Sequence, residues 1–95
     1  MRAQLVADVT FYPADQGGKT VAALPGWGCP CCPTKDIPVV GYDGLPLLGD
    51  TPIAPGEQRR LGFVFPSGNE AVIALRSAGR FYLWEGRFIG EATVL

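Results

Sequence analysis

The sequence predicts an all-β fold, a small closed antiparallel β-barrel of about six strands, and three observations carry that expectation. Thirteen glycines and nine prolines punctuate 95 residues, so the apolar runs are short and no helix of about 10–12 residues fits comfortably between them. Several of those runs alternate apolar and polar side chains with the period of two that a half-buried strand requires. Turn signals recur about every 8–12 residues, the rhythm of a small barrel or sandwich, and barrel closure removes the exposed sheet edges. At 47% hydrophobic and 18% charged, the 95 residues suit one domain spanning 1–95, large enough to fold without disulfides or a metal.

The elements follow in order. Residues 4–12 alternate, with Leu5, Ala7, Val9 and Phe11 on one face and Gln4, Asp8 and Thr10 on the other. A turn from Pro13 to Lys19 leads to a short return strand over 20–24, giving a hairpin with a wide loop. The density of Gly, Pro and Cys over 25–33 reads as an irregular crossing. Residues 37–42 are Val-rich and end in an aromatic, the composition of a strand, and Pro38 places it near an edge. The stretch 43–50 reads as turn, short apolar run, turn; a further turn covers 53–57. Alternation returns over 59–65 with Leu61, Phe63 and Phe65 on one face. Residues 71–75 read as a strand or as one helical turn, and the flanking Glu70 and Arg76 leave both open. Strands over 80–84 and 88–95 close the chain, joined by the tight turn Glu85-Gly86-Arg87.

Composition excludes several function classes. A formal net charge of −1 gives no basic field of the kind that drives nucleic-acid binding by counterion release. With no histidine, the commonest general base and metal ligand is missing, and neither a Ser-His-Asp nor a Cys-His arrangement can form. The carboxylates Asp43, Asp50 and Glu57 sit at turns, where nothing in the sequence supplies a partner for acid–base work. No enzyme and no cofactor are therefore expected. No run approaches the roughly 18 apolar residues of a membrane span, and the opening MRAQLVADVTFY lacks the pattern of an export signal. No membrane partner and a cytoplasmic location are expected, in keeping with three closely spaced cysteines that cannot build a separated disulfide framework.

Four residue groups are candidates for chemistry or contact. Cys29, Cys31 and Cys32 could offer soft ligands to zinc or copper, or a redox pair, which makes a small metal- or redox-responsive protein the alternative function. Their spacing is poor for a structural zinc site, so buried structural cysteines are the favoured reading. Trp27, flanked by glycines, reads equally as an exposed contact residue or as core; Trp84, within a strand, reads as packing. Arg87, together with Arg76 and Arg80, offers a modest surface for an anion or an RNA backbone. Arg59 and Arg60 point to opposite faces of their strand and make no joint patch.

The residues also resemble a family. Ala7-Asp8-Val9-Thr10-Phe11-Tyr12-Pro13 followed by Gly17-Gly18-Lys19-Thr20 is similar to the start of the C-terminal, third domain of bacterial elongation factor Tu. The closing run from Arg80 through Glu85-Gly86-Arg87 to Val94 resembles that family's terminal hairpin, with one glycine fewer. Thr34-Lys35-Asp36-Ile37 and Ala54-Pro55-Gly56-Glu57 stand where the family has Thr-Thr-Asp-Val and Met-Pro-Gly-Asp, in the same order across nearly the whole chain.

The resemblance implies a six-stranded antiparallel barrel and a freestanding third domain. It also implies a contact to the T arm of aminoacyl-tRNA through Glu85 and Gly86. Two other family contacts do not carry over: Gly26-Trp27-Gly28-Cys29-Pro30 replaces a Gly-Tyr-Arg-Pro-Gln segment, and Pro38 replaces a threonine. A phosphate-binding loop is absent from the sequence, so no nucleotide partner is expected. The expected function is a non-enzymatic, translation-factor-like binding module that recognises protein first and tRNA or other RNA second, through Trp27, Glu85, Gly86 and Arg87.

Overall fold

Alternation in the first run does set the frame of the molecule. In the computed structural model, which describes residues 2–95, strand β1 (Leu5–Phe11) buries Leu5, Ala7, Val9 and Phe11. Among the described residues five further strands follow: β2 (Cys29–Cys32), β3 (Tyr42–Pro46), β4 (Gln58–Val64), β5 (Arg80–Trp84) and β6 (Phe88–Val94). They close into an antiparallel barrel in the order β1-β4-β3-β2-β5-β6. Val9 lies opposite Arg59 of β4 on one side and Ala92 of β6 on the other, so β1 has no free edge along this stretch.

The core is aromatic at its centre. Phe63 stacks on Phe65 with centroids 6.0 Å apart and takes the edge of Phe81 at 5.3 Å; each ring is at most 2% exposed. Burying one such side chain is worth roughly 1.5–3 kcal/mol. The inward positions of β2 carry sulfur instead of rings. Cys31 Sγ and Phe65 Cε1 lie 2.7 and 2.8 Å from where a Cβ on Gly44 of β3 would sit, so only a glycine leaves room for both.

Four local expectations are corrected. Residues 20–24 form no strand; only Ala23 bridges, to Ile53, and β1 pairs with β4 and β6 rather than with a hairpin partner. The segment 25–33 is not wholly irregular, since Cys29–Cys32 is β2; its alternate cysteines are small enough to fill the barrel beside Phe65. The expected strand over 37–42 is displaced to Tyr42–Pro46. Pro38 offers no ladder donor, and Ile37 and Val40 stand 77% and 68% exposed.

The fourth concerns 71–75: the open choice between strand and helical turn resolves to helix, within α1 (Asn69–Ala78), whose ten residues overturn the expectation that no helix of that length fits between the glycines and prolines. Ala71, Val72 and Leu75 occupy one face and are buried against the barrel. Glu70 in the first turn and Arg76 in the last complement the helix dipole. The Gly79 N–H closes the helix onto the Leu75 and Arg76 carbonyls.

Strand directions then divide the barrel into two ends. The chain enters β1 and β5 and leaves β4 and β6 at the end covered by α1. The exit of β1, the entry of β2 and the β5–β6 turn gather at the other.

Candidate functional site

That second end is built from the β5–β6 turn upward. The Glu85 N–H donates to the Arg87 carbonyl at 2.8 Å, and Gly86 between them takes φ +71°, a left-handed conformation that glycine adopts without a Cβ penalty. The turn therefore projects Glu85 and Arg87 in a fixed relation. The Glu85 carboxylate receives two donors from the β1–β2 connection, far from it in sequence. Lys19 Nζ lies 2.6 Å from Oε1, and the Trp27 indole Nε1–H lies 2.7 Å from Oε2. The same ammonium sits 5.3 Å from the Trp27 ring centroid, so cation, ring and carboxylate form a closed triad.

Each partner is held from behind. Trp27 sets its ring against Phe11 at 5.7 Å, edge to face, and donates its backbone N–H to Leu24. The Arg87 guanidinium donates to the Gly17 and Gly18 carbonyls at 2.8 and 3.0 Å, clamping the loop that carries Lys19. Lys19's side chain is 10% exposed against 43% for Glu85; the carboxylate is thus the solvent-facing member. The Lys19 hydrogen bond holds the Glu85 carboxyl below its ordinary range, burial opposes that, and the Trp27 bond reinforces it.

The sequence-based site is therefore brought together: Trp27, Glu85, Gly86 and Arg87 converge, and the open choice for Trp27 resolves into a half-buried residue whose ring packs on the core. Lys19, the least exposed charge in the group, was not anticipated as a site residue. Its only sequence signal was its place after Gly17-Gly18, a turn that gives no hint of the carboxylate 66 residues away. Val21 and Leu24, in the loop leading to Trp27, are 66% and 63% exposed.

The expected arginine surface is not assembled. Arg80 opens β5 and Arg76 closes α1, both at the helix-covered end, with Arg76 Nη2 donating to the Gln4 carbonyl. Arg87 stands at the other end, spent on backbone carbonyls. Arg59 and Arg60 separate as expected: Arg60 pairs with Asp8 at 2.8 Å, while Arg59 reaches Glu57 and the Thr51 and Pro52 carbonyls. Glu57 also accepts from the Ala54 N–H, the turn role expected of it.

The thiols are arranged for packing. Cys29 and Cys31 face the barrel interior, and all three are free and buried. Cys32 projects from the opposite side of β2, where its Sγ lies 2.7 Å from the Cβ position of Gly41. The Cys29 hydrogen bond and burial raise Cys31 well above the ordinary thiol range, and burial raises Cys32, which disfavours the thiolate that a metal or a redox partner needs. Among the described residues no three His, Cys, Asp or Glu side chains are grouped to hold a metal ion. Cys29 borders a shallow apolar hollow of about 350 Å³ with Pro30, Leu45 and Pro66. Among the described residues no helix is long and apolar enough to cross a membrane.

Comparison with protein-family models gives no match to this chain. A search of curated proteins likewise finds none that matches.

Proposed function

We propose that this chain is a non-enzymatic, cytoplasmic binding module that acts like a translation-factor domain. On this reading it recognises a protein partner with the barrel end that carries Trp27, Glu85, Gly86 and Arg87, and it binds no GTP. Recognition occurs on a preorganised surface, so little ordering entropy is lost when the partner docks. The observation that carries the reading is the Lys19–Glu85–Trp27 triad. It ties two points of the β1–β2 connection to the β5–β6 turn while leaving the Glu85 carboxylate, and Val21 and Leu24 of the same connection, open to a partner. A carboxylate beside exposed apolar side chains and an aromatic anchor is the chemistry of a protein interface. The dispersal of the arginines makes RNA the second choice, since phosphate contacts need clustered cations. The resemblance to the third domain of elongation factor Tu supplies the translation context.

The test is to titrate the folded chain separately into purified translation proteins and aminoacyl-tRNA, following complex formation by analytical ultracentrifugation. Binding to a protein component that Trp27→Ala weakens about tenfold or more supports the reading. Binding to tRNA alone moves RNA to first place. No complex with any component, or one indifferent to substitutions at Trp27 and Glu85, overturns it.

A further inference from the structure

On the outer wall of the barrel, one ammonium faces three aromatic rings. Lys35 Nζ lies 5.2 Å from the Tyr12 centroid, 5.0 Å from Tyr82 and 5.7 Å from Phe88. These rings come from three neighbouring strands: Tyr82 from β5, Phe88 from β6 and Tyr12 from the residue after β1. A fourth wall is acidic. Glu91 lies opposite Tyr82 in the β5–β6 register and accepts the Tyr12 hydroxyl hydrogen bond at 3.0 Å. Trp84 backs the group, edge to face with Phe88 at 4.9 Å.

The cage exists because of a bulge. Leu83 pairs with Gly90 and the next residue, Trp84, pairs with Phe88, leaving Ile89 as the extra residue. Ile89 is 1% exposed; strict alternation from Ala92 through Gly90 would have sent Phe88 inward as well. The bulge turns Phe88 to the outer face instead, where it meets Tyr82 and Trp84.

Lys35 itself is held by the three rings and by its approach to the Tyr12 hydroxyl. It is exposed, and among the described residues it makes no ion pair. Residues 34–40 belong to no strand, and among the described residues no backbone–backbone hydrogen bond ties them to the barrel. A primary ammonium is also a compact, strongly hydrated charge, so an aromatic seat recovers little of the hydration it gives up. A quaternary ammonium has no N–H groups to keep solvated and presents its methyl groups to the rings, which is how aromatic cages recognise such cations.

We propose that Tyr12, Tyr82, Phe88 and Glu91 form a binding site for a quaternary alkylammonium group, and that Lys35 is the internal occupant such a ligand displaces. The site lies on the barrel wall and stands independently of the partner assigned to the Trp27 end. The same ammonium chemistry could arrive on a trimethylated lysine side chain or on a choline-like small molecule.

NMR titration with N-acetyl-trimethyllysine methylamide, and separately with choline, tests the proposal, with sodium chloride at matched ionic strength as the control. The expected result is saturable, upfield-shifted methyl resonances with the unaltered chain. Lys35→Ala should lower the midpoint by at least about two- to fivefold, the range of a single exposed cation–π contact, since the lysine must leave three rings for the ligand to enter. Tyr82→Leu should abolish the response, and Phe88→Leu serves the same purpose should the first variant not fold. A stronger response to trimethyllysine identifies a protein source and a stronger response to choline a small molecule; either supports the cage. Folded Lys35→Ala protein that shows no saturable shift, or a response that survives Tyr82→Leu and Phe88→Leu, overturns it.

Discussion

The Trp27 indole donates a 2.7 Å hydrogen bond to the Glu85 carboxylate across 58 residues of sequence, joining the entry to β2 with the β5–β6 turn. Lys19 bonds the other carboxylate oxygen at 2.6 Å, so one acidic side chain ties down two points of the β1–β2 connection. Such a knot is worth more than a lone surface ion pair, because the lysine is largely withdrawn from water and depends on this partner.

Removing the charge at this knot should be measurable. Glu85→Gln keeps an acceptor for Trp27 but leaves Lys19 without its counter-charge; we expect a loss of about 1 kcal/mol in urea denaturation. A variant as stable as the parent would show that the triad is ornamental to folding.

The same carboxylate should make stability pH-dependent. Lys19 lowers the Glu85 carboxyl in the folded state. A group depressed in this way contributes stability above its unfolded pKa, and that contribution is lost as pH falls through the folded value. Denaturation midpoints should therefore drop from about pH 5 downward. Asp8, lowered by its hydrogen bond to Arg60, and Glu57, lowered by the Ala54 N–H, act in the same direction. The Glu85→Gln curve should therefore be shallower without becoming flat, and parallel curves for parent and variant would refute the assignment.

Trp27→Phe separates packing from hydrogen bonding. The phenyl ring can still meet Phe11, but the Nε1–H donor is gone. Stability should fall by about 0.5–1.5 kcal/mol, and Val21 and Leu24 backbone amides should exchange faster with deuterium. Unchanged exchange would mean that the loop is held by other contacts.

How much of this was legible in the sequence depends on the range of the forces involved. The strands β1 and β4 announce themselves because their alternation is local: Leu5, Ala7 and Val9, or Leu61 and Phe63, need only the pleat to share a face; β5 and β6 are marked instead by the tight turn Glu85-Gly86-Arg87 between them. Helix α1 was obscured because its buried set of Ala71, Val72 and Leu75 also fits a short apolar strand. Gly68 and Gly79, the residues flanking it on either side, were the overlooked signal. Trp27 and Glu85 were legible one by one, yet their bond depends on barrel closure. Lys19 and the rings around Lys35 were missed for the same reason, since their neighbours lie on strands far apart in sequence.

The thiols should behave as core residues. In the folded chain Ellman's reagent should react slowly with all three cysteines and slowest with Cys31, which is raised well above the ordinary thiol range. Denaturant should release three fast equivalents. Rapid reaction of the native protein, or tight stoichiometric zinc uptake that protects the thiols, would restore the metal- or redox-responsive alternative.

The centre of the barrel should be the least forgiving place. Phe63→Ala removes the ring that both Phe65 and Phe81 pack against and should cost about 3–5 kcal/mol in equilibrium unfolding. A cost below about 2 kcal/mol would mean that the neighbouring rings collapse into the space.

Barrel closure itself carries a kinetic consequence. The seam is β1 against β6, with Ala7 opposite Val94 and the Leu95 N–H bonded to the Val6 carbonyl. During synthesis the first strand emerges early and must wait for the last one, its β6-facing edge unpaired. A ribosome-bound chain lacking residues 88–94 would hold an open sheet with a template edge, the species most prone to pair with other chains. Closure of the barrel thus requires completion of β6. The loop closure that zips the seam joins residues 7 and 94, a long sequence separation of the kind that slows folding of small domains.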